Sequence, residues 1–302
     1  MDTTLSSAIL GGITTSLNLS DVAAYCSTND CRWPSYQTLA ICSMVEDVSS
    51  QLVRQDNHTD SSEHSFYAEN MNMTLPVPEL YDTKLGNPTF PGPNNFWMAT
   101  SPSWRANENS VRPNLIAETY VIYFSACRAT NGEVGKPKTE ELLAARSNLT
   151  NWRAMKSSFE LCIQNITTLI VNGTTNTSML ERVDQQPWMI YDNNGVVSKN
   201  KTVFSDLMVM YSEIRNTTPG TLRPQFSVDI TSMRALGDIM RLILNGSTTM
   251  RQADKKWKNS EQIILAQDVC SSDPEVCDAG PVNDTQGFQN RMQNIAVSLT
   301  NT

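Results

Sequence analysis

Seven cysteines are the most concentrated chemical resource of the chain. Cys26, Cys31 and Cys42 fall within CSTNDCRWPSYQTLAIC, and Cys127, Cys162, Cys270 and Cys277 follow. Thiols in such a cluster can ligate a metal, act as nucleophiles or close disulfides. The C-x4-C-x10-C spacing does not suit zinc, whose structural sites take ligand pairs about two to four residues apart with a second Cys or His pair beyond. Neither histidine lies near the cluster, so an activated Cys–His nucleophile has no base. Disulfides are the expected use, ahead of free buried thiols and metal ligation. Seven cysteines allow at most three bridges and a leftover, with the connectivity open. Cys270 and Cys277 bracket the turn-rich SSDPEV and are expected to close a local loop. Of Cys26, Cys31 and Cys42, two are expected to pair with each other and the third to reach a distant partner such as Cys127 or Cys162.

Other groups able to do chemistry are sparse. Both histidines, His58 and His64, stand in QDNHTDSSEH beside Asp56, Asp60 and Glu63, yet His58 lies inside an N-glycosylation sequon and a polar acidic loop is usually solvated. No metal is expected there, nor calcium at DVCSSDPEVCDAGPVND, which departs from EF-hand ligand spacing. The chain lacks G-x-S-x-G, H-E-x-x-H, G-x-x-x-x-G-K-[ST] and G-x-G-x-x-G motifs, so no cofactor and no catalytic residue is expected. Paired carboxylates, as in glycosidases, are the one catalytic device that 31 acidic residues leave open, without singling out a pair.

Charge and sequons describe the chain's surroundings. With 23 basic against 31 acidic residues and a net charge of −8, the surface offers little to nucleic acid or anionic lipid. No run of about 18 apolar residues could span a bilayer, and MDTTLSSAILGGITTSLNLS lacks the basic start of a signal peptide. Sequons occur at Asn18, Asn57, Asn72, Asn148, Asn165, Asn172, Asn176, Asn200, Asn216, Asn245 and Asn283, eleven in all. Composition alone supplies about five. With the cysteines, this excess predicts a glycosylated chain on the secretory route.

The elements that must carry these residues follow from periodicity. Residues 4–17 are expected to form an amphipathic helix with Leu5, Ile9 and Ile13 on one side. Residues 73–114 hold seven of the fourteen prolines, so an extended loop over the core is expected there rather than helix or central strand, with Trp97 and Trp104 anchoring it. Leu115 to Cys127 reads as a strand covered on both faces. A short helix is expected around TEELLAAR. SSFELCIQNITTLIVNGTTNT reads as one long or two consecutive strands, with Phe159, Leu161 and Ile163 on one side and a turn at Asn172-Gly173. WMIYDNNGVVS reads as a hairpin turning at Asn193, Asn194 and Gly195. Three helical stripes follow. They are Phe204, Leu207, Met208, Tyr211 and Ile214; then Met233, Leu236, Ile239, Met240 and Ile243, stopping at Asn245-Gly246; then Phe288, Met292, Ile295, Ala296 and Leu299. The sum is an α+β fold, an antiparallel sheet with helices mainly in the C-terminal half, in a single domain over 1–302. Its parts are an N-terminal helix and Cys-rich segment (1–72), the Pro-rich loop (73–114), a strand-rich core (115–200) and a helix-rich part (201–302).

The segment CSTNDCRWPSYQTLAICSMVEDVSSQL resembles a recurring block, roughly C-x-TGN-C-TWP-x-F-x-SL-x-VC-SSC-x-DV-[ST], of a large fungal family of polytopic membrane proteins. Cys26, Asn29, Cys31, Trp33, Pro34, Tyr36, Leu39, Cys42, Asp47 and Val48 carry the likeness. Two later segments are similar to the same family in the same order: FELCIQNITTLIVNGTTNT, through Phe159, Cys162, Asn172 and Gly173, and MQNIAVSLTNT. The family's ectodomain is of unknown function and lies between membrane spans. The resemblance implies that this chain is the extracellular part of such a protein, attached to a fungal plasma membrane through flanking spans absent from the chain. It implies a non-catalytic role in recognition, sensing or surface structure toward an unknown extracellular ligand or surface partner. A secreted or tethered carbohydrate hydrolase and an exoplasmic cap on a transporter-like core are the alternatives. Val45 stands where the family has a further cysteine, which fits an odd total and one free thiol.

Overall fold

The structure, a computed structural model, describes residues 3–14, 26–56, 64–68, 74–77, 94–102, 114–125, 149–183, 187–190, 201–204, 226–250, 257–258 and 284–300. In chain order the helices are α1 (Thr3–Thr14), α2 (Ile230–Leu244) and α3 (Asp284–Thr300). The strands are β1 (Cys31–Arg32), β2 (Tyr36–Asp47), β3 (Leu52–Asp56), β4 (His64–Ala68), β5 (Thr74–Val77), β6 (Asn94–Pro102), β7 (Leu115–Ser125), β8 (Trp152–Val171), β9 (Thr174–Val183), β10 (Pro187–Ile190), β11 (Lys201–Phe204), β12 (Phe226–Asp229), β13 (Gly246–Met250) and β14 (Trp257–Lys258).

β8 is the spine of an eight-stranded antiparallel sheet. One of its edges takes β2 along Met155–Ile166 and β1 beyond it; the other takes β7 along Trp152–Glu160 and then β9 along Ile163–Val171. From β7 the sheet continues through β6 and β13 to β14. Two further three-stranded sheets, β3-β4-β5 and β10-β11-β12, are also antiparallel. This is an α+β architecture, with two of the three described helices in the C-terminal half.

Alternation along the strands divides the core into two faces. On one, Ile41, Phe96, Met98, Val121, Met155, Phe159, Leu161 and Ile163 pack beneath the helices. α3 lies on β2, α2 on β6 and β7, and α1 sits against both helices. The apolar stripes supply the facing surface: Met233, Ile239 and Met240 of α2 and Phe288, Met292, Ile295, Ala296 and Leu299 of α3 are all buried. α1 approaches α3 at Gly12, where a Cβ would stand 2.5 Å from Ile295 Cα. Only the missing side chain lets the two backbones come that close. Asp229 starts α2 by accepting the Thr231 N–H at 2.6 Å. On the opposite face of the sheet, Trp152 meets Trp97 and Phe124 at ring-centroid distances of 5.6 and 5.3 Å.

Two expectations need correction. Within the Pro-rich tract, Thr74–Val77 and Asn94–Pro102 are strands, and β6 lies inside the main sheet between β7 and β13 with Phe96, Trp97, Met98 and Ala99 buried. The proline density averages over a proline-free window, NNFWMATS, that ends at Pro102, the last residue of β6. Proline at a strand terminus costs no internal ladder bond. Phe204 does not begin a helical stripe: it ends β11 and pairs with Phe226 of β12. The rest of that stripe, Trp104, the segment TEELLAAR and the turn at Asn193, Asn194 and Gly195 lie outside the described residues.

Candidate functional site

The cysteine segment is built into the spine at two levels. Cys42 and Cys162, separated by 120 positions in sequence, form a disulfide with Cα atoms 5.9 Å apart. Cys42 stands opposite Glu160 and Cys162 opposite Ala40, so the bridge joins diagonal neighbours on one face of β2 and β8. It is buried, with Ala40 packed against both cysteines. Val45, three residues on from Cys42, faces the other way and packs against the helix-side core. A cysteine at 45 would therefore stand on the face opposite that bridge.

Cys26 and Cys31 close a second bridge with five residues of separation, just before and at the start of β1. Their small loop is fastened to the tip of the β8–β9 hairpin. Asn172 N–H donates to Asp30 Oδ1 at 3.0 Å, Gly173 N–H donates to Asn29 O at 2.9 Å, and Trp33 N–H donates to Thr168 O at 3.1 Å. The tip itself turns through Asn172 at φ 52° and Gly173 at φ 75°. Two left-handed residues in succession make the tight hairpin turn that Asn-Gly favours. Thus Cys26 and Cys31 pair with each other and Cys42 reaches Cys162. Cys127, Cys270 and Cys277, with the local loop expected between the last two, lie outside the described residues.

Toward the far end of the spine, burial on the helix side of β8 falls away. Even-numbered residues of β8 stay buried through Ile166, Thr168 and Ile170, whereas Asn165 and Thr167 are half-buried and Leu169 and Val171 are 39% and 47% exposed. One cross-strand row on this open face runs Arg32, Leu169, Asn176, all exposed. Val171 lies opposite Thr174.

Where β7 hands over to β9 beside β8, a buried carboxylate fills the seam. Glu160 Oε2 accepts from Asn114 Nδ2 at 2.7 Å and pairs with Arg182 Nη2 at 3.4 Å. Asn114 also donates to Leu161 O, and its own carbonyl accepts the Leu161 N–H. On the same face Glu118 pairs with Lys156 at 2.9 Å and accepts from the Tyr120 hydroxyl. Glu118 and Glu160 stand on adjacent strands, and both are engaged in the sheet's own ion pairs. No spacing rule points to Asn114 and Glu160, which meet only because β7 and β8 pair.

Asp56 and His64 are cross-strand partners in β3 and β4, while His58, Asp60 and Glu63 lie outside the described residues. Among the described residues no group of three or more His, Cys, Asp or Glu could hold a metal, and no helix is long and apolar enough to cross a membrane. Of the sequons, Asn165, Asn172, Asn176 and Asn245 fall on described residues; Asn18, Asn57, Asn72, Asn148, Asn200, Asn216 and Asn283 do not. Asn245 ends α2, and its Oδ1 accepts the Thr100 N–H at 2.6 Å. Two disulfides suit an oxidising, secretory or extracellular environment. Comparison with protein-family models, curated proteins and solved structures finds no match for this chain.

Proposed function

We propose that the chain is a glycosylated, disulfide-braced ectodomain related to the fungal polytopic membrane proteins it resembles, with a non-catalytic role in recognition, sensing or surface structure at the outer face of the plasma membrane. One observation carries the reading. The three segments of resemblance form a single packed unit although they are far apart in sequence. The cysteine segment pairs with the β8 segment over twelve aligned positions from Tyr36 to Asp47 and is bridged to it by Cys42–Cys162. The C-terminal segment lies on the same strand: Ile41 N–H donates to Thr300 Oγ1 across 259 residues, and Ser43 Oγ donates to Gln293 Oε1 at 3.2 Å. Segments that specify one tertiary unit are what a shared domain would keep. Glu118 and Glu160, the acids of β7 and β8 on the sheet's far face, are engaged in the sheet's own ion pairs, which favours binding or support over hydrolysis.

The test uses cells that make the protein naturally. Intact cells are treated with protease and endoglycosidase, and the chain is followed by mass and by alkylation with and without reductant. Cleavage from outside, a glycosidase-sensitive mass and protected cysteines are expected. A cytosolic chain with bare sequons and free Cys42 and Cys162 would overturn the proposal, as would a gene with no hydrophobic span on either side.

A further inference from the structure

The open end of the β8–β9 sheet presents exposed aliphatic side chains, Leu169 and Val171, on the side where the described helices α1, α2 and α3 pack. Exposed apolar area at the tip of a sheet invites association. Three of the four described sequons surround this patch. Asn176 is the cross-strand partner of Leu169, so its side chain leaves the same face about 5 Å from that of Leu169. Val171 is the diagonal neighbour of Asn176 on that face, at about 7–8 Å. Asn172 is exposed at the turn immediately after Val171, and Asn165 stands on the same side of β8 at the border of the helices.

We propose that this face is a glycan seat: N-linked glycans on Asn176 and Asn172 lie over the exposed Leu169 and Val171 and cover them. Attachment forms a bond from Asn Nδ2 to C1 of an N-acetylglucosamine carried on a polyisoprenyl pyrophosphate. The C1–O bond breaks, the amide gives up one proton and the lipid pyrophosphate leaves with the bonding pair. The sugar ring presents C–H groups that can rest on aliphatic side chains while its hydroxyls face water, removing apolar surface from solvent. A bulky glycan beside Leu169 also prevents a second copy from stacking on the open face. The occupant is therefore the chain's own carbohydrate rather than a protein partner. The inference rests on the secretory reading above.

The full chain is secreted from a yeast host, and its glycopeptides are mapped. Ser178→Gln removes the sequon of Asn176 and Thr174→Gln that of Asn172, leaving both asparagines in place and adding no apolar group to the face. Occupied Asn176 and Asn172 are expected in the parent chain. The double variant is expected to bind a hydrophobic dye about two-fold more and to shift toward dimers, because the patch is uncovered. Adding Leu169→Thr and Val171→Thr to the double variant is expected to abolish both changes, a rescue that a folding defect would not show. Bare Asn172 and Asn176 on a chain glycosylated elsewhere overturn the glycan seat and leave the secretory reading standing. Occupied sites whose loss leaves dye binding and mass unchanged overturn the covering role. A parent chain that is already dimeric through this face overturns it in favour of a second copy. If the protein from its natural cells carries no glycan at any sequon, both readings fall together.

Discussion

Removing the two disulfides separately measures how each works. In the chain-entropy account, a bridge stabilises by constraining the unfolded chain, and the gain grows with the logarithm of the loop it closes. Cys42–Cys162 spans 120 residues and Cys26–Cys31 spans five. These loops correspond to about 5 and about 2 kcal/mol at 25 °C. The longer bridge is also buried beside Ala40, so Cys42→Ala with Cys162→Ala leaves a small void that adds to its cost. For a chain of 302 residues the entropy of unfolding near the midpoint is about 0.6 kcal/mol per kelvin, so the midpoint falls by about 8 °C and about 3 °C respectively. Thermal unfolding followed by tryptophan fluorescence reads both, since Trp97 and Trp152 are buried in the sheet. Equal losses in the two double variants, or a greater loss from the short loop, would refute loop length as the source of the difference.

Other substitutions test the packing. Gly12→Ala sets a methyl group against the α3 backbone at Ile295 and Asn294; overpacking of about 1–3 kcal/mol outweighs the roughly 1 kcal/mol that alanine adds to a helix, so the melting temperature falls. Gly11→Ala, whose nearest neighbour is Ser298 Oγ at 3.6 Å, is the control and is expected to hold or raise it. Gly173→Ala keeps the sequon but forces a side chain onto φ 75°, at a cost of roughly 1–2 kcal/mol; faster hydrogen exchange at the Asn172 and 173 amides is the readout. Asn114→Ala takes the 2.7 Å hydrogen bond from buried Glu160 and is expected to cost about 2 kcal/mol in urea unfolding.

The helices were the most readable part of the sequence because their burial repeats locally. Met233, Ile239 and Met240 in α2 and Phe288, Met292 and Ile295 in α3 stand at helical spacing, and all are buried. The β8–β9 hairpin was readable for a related reason, since Asn172-Gly173 meets a local backbone requirement. β6 was not, because a proline count over a long tract hides a short window free of proline. Nor was Phe204, whose neighbours at helical spacing mask its pairing with Phe226. The seam at Glu160 carries no motif at all.

Taken alone, the sequence determined which groups were present. There are seven cysteines, too few histidines near them for thiol catalysis, an excess of sequons and apolar stripes at helical spacing. Those follow from residue type and local period. Only the tertiary structure decided which cysteines meet, because a diagonal contact such as Cys42–Cys162 depends on the register of two strands 120 residues apart. The same register puts Val45 on the helix side and Cys42 on the other. It also sets Asn176 directly beside the exposed Leu169. Strand alternation assigns every side chain of a pair to one face or the other, and a shift of one residue would reverse them all.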